Sequence, residues 1–330
     1  MIEKKLFFCS ILSLFISLFF AVLIAKFGLR FSLVDTPNER SSHKRPTPRS
    51  GGIGIWLAFV FASFLFTEYI IFPLFAGIIG FVCLLEDIFV IPQKIRLVLQ
   101  LIISTVVIGQ FLGVSTSVVS ILLFVFWIIF VTGTANFYNF MDGIDGIAGF
   151  TGFVAFGLLA LYSFVVVHEP DIVLMSVVLS IGCFGFLFVN FPKAKVFMGD
   201  VGSIFLGFVF ASFLVKLSTS INAFMCLIMF LCMFYADSLI TIFYRWQKKE
   251  NLMKAHRSHL YQYMCNELRI PHWKVSLTYA FAQLFFGILA LLAYNKGLIW
   301  QVIVLAIFGI MFLISYKFIK GIKPDPYLSS

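Results

Sequence analysis

The chain has 330 residues, of which 61% are hydrophobic and 12% charged, and its mean hydropathy is +1.04. This composition excludes a soluble globular protein and is typical of a membrane protein with many spanning helices. The formal net charge is +9 at pH 7. In a membrane protein, this excess indicates orientation in the bilayer, so we expect no nucleic-acid partner.

Apolar runs of about 20 residues recur along the chain, and a run of this length can cross a bilayer. They predict an all-α, polytopic membrane protein with about eleven transmembrane helices, in one domain over residues 1–330. The first run follows two lysines but is long for a signal peptide, so we expect it to be retained. The predicted helices lie near residues 6–27, 54–71, 73–91, 95–113, 118–134, 147–167, 172–189, 201–217, 221–243, 273–294 and 298–318.

The distribution of basic residues predicts the orientation. With eleven spans, the loops after odd-numbered helices share one face with the C-terminal tail. Every Lys and Arg lies nearest that face except Lys4, Lys5, Lys216 and Lys296. The positive-inside rule therefore makes this face cytoplasmic, although two lysines at an external N-terminus run against it.

The first loop on this face, residues 28–53, combines prolines, glycines and basic residues. An ordinary basic loop would explain its charges, but not the pattern Pro46-x-Pro48-x-x-Gly51-Gly52. Such a loop can surround a phosphate with donors. The candidate phosphate-binding residues are Lys44, Thr47 and Arg49.

Two adjacent acids, Glu86 and Asp87, end the third predicted helix. Adjacent carboxylates at a membrane boundary repel each other, so one holds a proton or both meet a cation. Either state suits a general base or a metal ligand. The alternative is a pair of solvated acids facing Lys94 and Arg96 across the turn.

The richest polar stretch follows the fifth predicted helix. It places Asn139, Asp142 and Asp145 within seven residues, with glycines at 143 and 146. Carboxylates three residues apart share a helix face, and hard oxygen ligands suit Mg²⁺ holding a phosphorylated substrate. The alternative is that either Asp only caps the next helix.

Three further stretches contain candidate polar residues. The loop at 190–203 contains Asn190, Phe197 and Asp200, and Asp200 either joins a metal–phosphate centre or caps the following helix. Asp237 lies inside the ninth predicted helix, where an acid is functional or pairs with a nearby Arg or Lys. The last loop contains His256, Arg257 and His259, a set that fits phosphate binding better than zinc.

These motifs resemble, in order, those of the polyprenyl-phosphate N-acetylhexosamine-1-phosphate transferases, in glycosyltransferase family 4. The form His256-Arg-Ser-His259 is most similar to the members that initiate O-antigen or capsule chains, and the peptidoglycan phospho-MurNAc-pentapeptide translocase is a more distant relative. The five matching blocks are the Asp35–Gly52 loop, Glu86-Asp87, Asn139-Phe-Met-Asp-Gly-Ile-Asp-Gly, Val196-Phe-Met-Gly-Asp-Val-Gly-Ser, and His256-Arg-Ser-His-Leu-Tyr-Gln.

The resemblance implies a reaction. A sugar 1-phosphate would pass from a UDP-N-acetyl sugar to undecaprenyl phosphate, giving the undecaprenyl-pyrophosphoryl sugar and UMP in the bacterial inner membrane. It implies Mg²⁺, with Mn²⁺ as an alternative, and leaves the sugar and the oligomeric state open, a homodimer included. The implied catalytic residues are Glu86, Asp87, Asp142, Asp145 and Asp200, with Asp200 and Asp87 at the metal. The implied substrate-binding residues are Lys44, Thr47, Arg49, Asn139, Asn190, Phe197, His256, Arg257 and His259.

One residue departs from the family pattern: position 86 is Glu where the family usually has Asp. The carboxylate remains but reaches one methylene further, which makes Asp87 the favoured essential acid. The second hypothesis is a transporter for a phosphorylated or lipid-linked sugar, which would also explain the spans and the basic face. It predicts polar groups at mid-membrane depth and internal repeats.

Overall fold

A computed structural model describes residues 2–31, 33–37, 45–89, 91–113, 116–251 and 257–322. Over these ranges, the chain is almost entirely helical. The helices are α1 (Ile2–Phe27), α2 (Ile53–Phe66), α3 (Ile71–Ile88), α4 (Gln93–Leu112), α5 (Val118–Phe140), α6 (Ile147–Tyr162), α7 (Pro170–Asn190), α8 (Asp200–Leu217), α9 (Ile221–Ile228), α10 (Cys232–Gln247), α11 (Leu260–Asn266), α12 (His272–Tyr294) and α13 (Leu298–Gly321).

The predicted all-α membrane architecture is confirmed. Within the described ranges, ten helical segments are long and apolar enough to cross a membrane. One of them, Ile221–Gln247, joins α9 to α10 through the 3₁₀ turn Met229–Leu231. The remaining predicted span, the second in chain order, corresponds to α2, which has only 14 residues. At 1.5 Å per residue it is about 21 Å long, shorter than the roughly 30 Å hydrocarbon core of a bilayer.

Helix α8 forms the centre of the bundle, and almost all of its side chains are buried. It packs against α3 and α5, while α7 packs against α1 and α6. A Cβ atom at Gly52 would lie 2.5 Å from Cα of Gly202, so only glycine allows the start of α2 to approach the start of α8 this closely. The outer helices expose large apolar side chains such as Phe7, Leu122 and Ile299, as expected of a surface in contact with lipid.

The first predicted loop contains a short antiparallel pair of strands, β1 (Val34–Asp35) and β2 (Thr47–Pro48). The chain beyond β2 then runs alongside the segment that precedes α8. The Phe197 amide donates to the Pro48 carbonyl at 2.8 Å, and Gly51 and Gly52 donate to the carbonyls of Phe197 and Met198. These backbone hydrogen bonds hold the proline–glycine loop against the start of α8.

The predicted motif loops meet at one end of the bundle. Here α3, α5 and α7 end, and α4, α6, α8 and α12 begin. At the other end, the Glu68 amide donates to the Asp171 carboxylate at 2.8 Å. The separation of the two ends matches the sequence prediction that the five motifs share one face.

Candidate active site

Asp200 is the point at which the polar side chains of four helices meet. Asn139 Nδ2, near the end of α5, donates to Asp200 Oδ1 at 2.6 Å. Arg96 Nη1, on α4, donates to Asp200 Oδ2 at 2.9 Å and to Glu86 Oε1, on α3, at 2.8 Å. Asn139 also donates to Ser203 Oγ at 2.9 Å. Asp200 therefore links the helices through its side chain instead of capping its own helix, where Gly199 occupies the capping position.

Asp87 has a different environment from its neighbour Glu86. Its side chain is 2% exposed, and its carboxylate accepts hydrogen bonds from Ser50 Oγ at 2.7 Å and from the backbone amides of Asp200 at 3.2 Å and Val201 at 3.3 Å. The first amides of a helix lack partners within that helix. Asp87 thus caps the N-terminus of α8 from another helix, a role that the sequence did not suggest.

Arg49 reaches the same place, where its Nη2 donates to the backbone carbonyl of Asp87 at 2.6 Å. Thr47 donates its hydroxyl to the carbonyl of Arg45 at 3.0 Å. The structure therefore places Arg49 beside the acidic cluster. Lys44, the third predicted phosphate contact of this loop, lies outside the described residues.

The cluster carries more negative than positive charge. Four carboxylates belong to it, from Glu86, Asp87, Asp142 and Asp200, against two guanidinium groups: that of Arg96 contacts Glu86 and Asp200, and that of Arg49 lies beside Asp87. Burial, followed by repulsion from Asp200 and Asp87, raises the pKa of Asp142 to about 8. A cation placed here would relieve both the repulsion and the cost of burial.

The residues present fit Mg²⁺. Glu86 Oε2 is a buried carboxylate oxygen with no hydrogen-bond partner among the described residues, and Asp200 is partly open, with 27% of its side chain exposed. The described part of the chain contains no preformed group of three or more His, Cys, Asp and Glu ligands. Mg²⁺ usually keeps several waters and takes only one or two protein carboxylates together with phosphate oxygens. Glu86, through its unpartnered Oε2, and the partly open Asp200 are therefore better placed as ligands than the predicted Asp87, which is only 2% exposed.

Asp145 has a partner that the sequence reasoning missed. His272 Nδ1, in the first turn of α12, lies 3.2 Å from Asp145 Oδ2. Ser276 Oγ donates to the Asp145 carbonyl at 2.7 Å. The only signal in the sequence is a His after Pro271 at the start of an apolar run, which is too common a pattern to predict a contact.

Asn190 joins two loops. Its Oδ1 accepts from the Gly146 amide at 2.8 Å, its Nδ2 donates to the Val196 carbonyl at 2.9 Å, and it is 5% exposed. Both polar atoms are occupied, so Asn190 connects the polar stretch 139–146, called the central motif from here on, to the loop before α8. Phe197 is half-buried in that loop.

The last motif is anchored by Asp237. This fully buried carboxylate accepts from the amides of Leu260 at 2.8 Å and Tyr261 at 3.2 Å and from Tyr279 Oη at 2.8 Å. His259 Nδ1 lies 3.5 Å from it, and His259 is 1% exposed. The partners of Asp237 thus include a histidine, a tyrosine, the Thr241 hydroxyl at 3.2 Å and backbone amides, not the Arg or Lys that was one of the two alternatives.

The structure describes only one of the two other predicted residues of that motif. Arg257 is exposed and forms an ion pair with Glu267 at 3.5 Å. His256 lies outside the described residues. Tyr261 connects the two regions, because its hydroxyl donates to the Phe140 carbonyl beside the central motif at 2.9 Å.

Comparisons with known proteins agree with the position of this cluster. Residues 69–218 match the model of glycosyl transferase family 4, a range that includes Glu86, Asn139, Asp142 and Asp200.

Three relatives illustrate the similarity. The chain is 28% identical to a Bacillus subtilis protein named "Probable undecaprenyl-phosphate N-acetylglucosaminyl 1-phosphate transferase", over 60% of this chain and 59% of the relative. It is 27% identical to the undecaprenyl-phosphate alpha-N-acetylglucosaminyl 1-phosphate transferase of Thermotoga maritima, over 58% of this chain and 60% of the relative. A phospho-N-acetylmuramoyl-pentapeptide-transferase of Bifidobacterium longum is 39% identical over 19% of this chain and 17% of the relative.

The first two matches each cover less than two thirds of the relative's length. The matched family region begins before α3 and ends just after α8, so it contains the helices that carry the acidic cluster. Family, fold and acidic cluster agree with one another. The part of the chain that carries the acidic cluster, residues 69–218, is therefore similar to glycosyl transferase family 4.

Proposed function

We propose that this protein transfers a sugar 1-phosphate from a UDP-N-acetyl-hexosamine to undecaprenyl phosphate, giving undecaprenyl-pyrophosphoryl-sugar and UMP. The observation that carries the proposal is the cluster of Glu86, Arg96, Asn139 and Asp200 at one end of a membrane bundle. A site at the bilayer surface lets a long lipid tail stay in the membrane while its phosphate meets a soluble nucleotide sugar. The names of the relatives support the same chemistry.

In the proposed reaction, an oxygen of the lipid phosphate attacks the phosphorus that bears the sugar. The bond from this phosphorus to the UMP oxygen breaks, and UMP leaves. Two anionic phosphates must approach each other, so neutralising charge is the main catalytic task. Mg²⁺, bound to Asp200 and Glu86, would supply that neutralisation.

The chain's own residues prepare the site. Arg96 and Asn139 fix the direction of the Asp200 carboxylate by donating to different oxygens. Arg96 also holds one oxygen of Glu86, which leaves the other to take a proton from the lipid phosphate or to face the cation. We propose that Asp142 and Asp145, with His272 behind Asp145, hold the nucleotide side of the donor.

The test is turnover by the purified protein in detergent with undecaprenyl phosphate, Mg²⁺ or Mn²⁺, and a panel of UDP-N-acetyl sugars. We expect equal amounts of lipid-linked sugar and UMP from at least one donor. Asp200→Asn should be inactive, whereas Asp171→Asn, at the other end of the bundle, should be active. Absence of product from every donor, combined with sugar uptake into sealed vesicles, would favour the transporter.

Orientation and pathway are part of the same proposal. We propose that the cluster faces the cytoplasm across the bacterial inner membrane, and that the product starts an O-antigen, capsule or other cell-envelope polysaccharide. Cysteines introduced at Lys193 and His168, both exposed, lie in loops at opposite ends of the bundle. A membrane-impermeant thiol reagent added to intact cells should label only the cysteine at position 168, and labelling of only the one at 193 would reverse the orientation.

A further inference from the structure

A cavity lined by none of the residues of the acidic cluster lies between the ends of α10 and α13. Its volume is about 550 Å³. Among the described residues, four basic side chains line it, and Glu250 is the only acid. The basic residues are Arg245, Lys248, Lys317 and Lys320. None of them contributes to the contacts described for Asp200 or Glu86, so this cavity is a separate site with a surplus of positive charge.

Much of the cavity wall is held in place by contacts within the protein. The rings of Tyr244 and Tyr316 stack with centroids 5.5 Å apart and planes within 4°. Arg245 is 5% exposed and donates to Glu250 at 2.9 Å. Lys320 Nζ donates to the Ser258 carbonyl at 3.0 Å.

The rim of the cavity has a different character. Lys248 and Lys317 both have exposed side chains there, one on each side of the cleft. An ordered wall with two exposed ammonium groups at its mouth is suited to a compact anion such as a phosphate group.

The surroundings indicate which kind of phosphate would enter. Helix α13 presents large apolar side chains outward just below the cavity. Ile310, Ile314 and Phe318 are 59%, 63% and 73% exposed. In a membrane protein this surface contacts acyl chains, so a ligand that reaches the cavity from the bilayer has its apolar part covered by α13. Basic pockets between helices at the membrane surface are suited to lipid head groups.

We propose that the cavity between α10 and α13 binds the phosphate of an anionic phospholipid. The head group lies between Lys248 and Lys317, and the acyl chains lie along Ile310, Ile314 and Phe318. Binding there ties the end of α10 to α13. Since α10 carries Asp237, which caps the α11 segment, the lipid stabilises the region that bears the last motif.

The test uses the purified full-length chain in a neutral detergent. Short-chain phosphatidylglycerol, short-chain phosphatidylcholine and inorganic phosphate are added separately, and thermal unfolding and native mass spectrometry follow binding. We expect phosphatidylglycerol to raise the melting temperature and to remain bound in the mass spectrum. The double variant Lys248→Gln/Lys317→Gln should bind it at least tenfold more weakly.

The matched control is Lys94→Gln/Lys193→Gln, which removes two exposed positive charges from the same end of the bundle. It should bind phosphatidylglycerol like the wild type, and Lys248→Arg/Lys317→Arg should restore binding if the Gln variant is unstable. Equal weakening in the control would show general attraction to a basic surface and overturn the site. If phosphatidylcholine stabilised the protein as much as phosphatidylglycerol does, the cavity would not select an anionic head group. If inorganic phosphate did so, the ligand would be a free anion. Either result overturns the proposal that the cavity binds an anionic phospholipid.

Discussion

Replacing Asp87 by Asn separates a structural role from a direct chemical one. The Asp87 carboxylate accepts three hydrogen bonds, from Ser50 Oγ and from the amides of Asp200 and Val201. In the Asp87→Asn variant only one of the two terminal side-chain atoms is an acceptor, so at least one backbone N–H at the start of α8 would face an NH₂ group. The side chain is 2% exposed, so water does not replace the lost partner.

The expected loss of stability follows from these contacts. A hydrogen bond to a charged group contributes about 1.5–3 kcal/mol. The attraction between an anion and a helix N-terminus adds about 1 kcal/mol, and more where the pair is buried. We therefore expect Asp87→Asn to lower the free energy of unfolding by about 3 kcal/mol. Because α8 begins with Asp200, a shift of the first turn of α8 also displaces the Asp200 carboxylate. A displacement of about 1 Å can reduce turnover about a hundredfold.

The assay combines thermal unfolding in detergent with turnover at saturating UDP-sugar and Mg²⁺. Ser50→Ala removes one of the three donors and leaves the charge, so it should cost about 1 kcal/mol. Most turnover should remain in Ser50→Ala. If Asp87→Asn were inactive but as stable as the wild type, Asp87 would act directly on substrate or metal and the capping argument would be refuted.

Three other substitutions test the rest of the site. Asp200→Asn should abolish turnover without preventing folding, because an amide is a far weaker Mg²⁺ ligand; near-normal activity at low Mg²⁺ would contradict this. Burial raises the pKa of Asp142 from 3.8 to about 8. The folded protein thus binds more protons than the unfolded chain between these values, and its stability without divalent cations should fall as pH rises through this window. That dependence should shrink in Asp142→Asn, and an unchanged slope would assign it to another group. Asp237→Asn should destabilise the protein by about 3 kcal/mol and expose the α11 segment to protease, because it breaks a buried charged network; unchanged protease resistance would contradict this.

The sequence predicted the helical architecture well because long apolar runs have few alternatives in a bilayer. It located the acidic cluster because Glu86, Asn139, Asp142 and Asp200 all lie at helix ends on one predicted face. The sequence did not predict that Arg96 is the positively charged partner of these acids. Arg96 was considered only as a residue facing solvated acids, whereas it lies buried between Glu86 and Asp200.

The sequence could not show which polar residues of a motif face a substrate and which only hold the protein together. Asn190 and His259 were predicted to contact substrate, but they are 5% and 1% exposed. Asn190 connects two loops, and His259 lies beside Asp237. In a sequence, a polar residue that faces a ligand cannot be distinguished from one that binds a backbone amide. Only the packing of the helices shows which of these contacts the residue makes.

The adjacent acids show why helix geometry decides this question. Consecutive residues on an α-helix point about 100° apart. Glu86 and Asp87 therefore face different neighbours: Glu86 meets Arg96, while Asp87 meets the first amides of α8. A cap must fit a fixed distance between two helices, so position 87 should tolerate no change in side-chain length. Position 86 meets the long side chain of Arg96, which can follow a carboxylate that is one methylene nearer, so Glu86→Asp should keep activity.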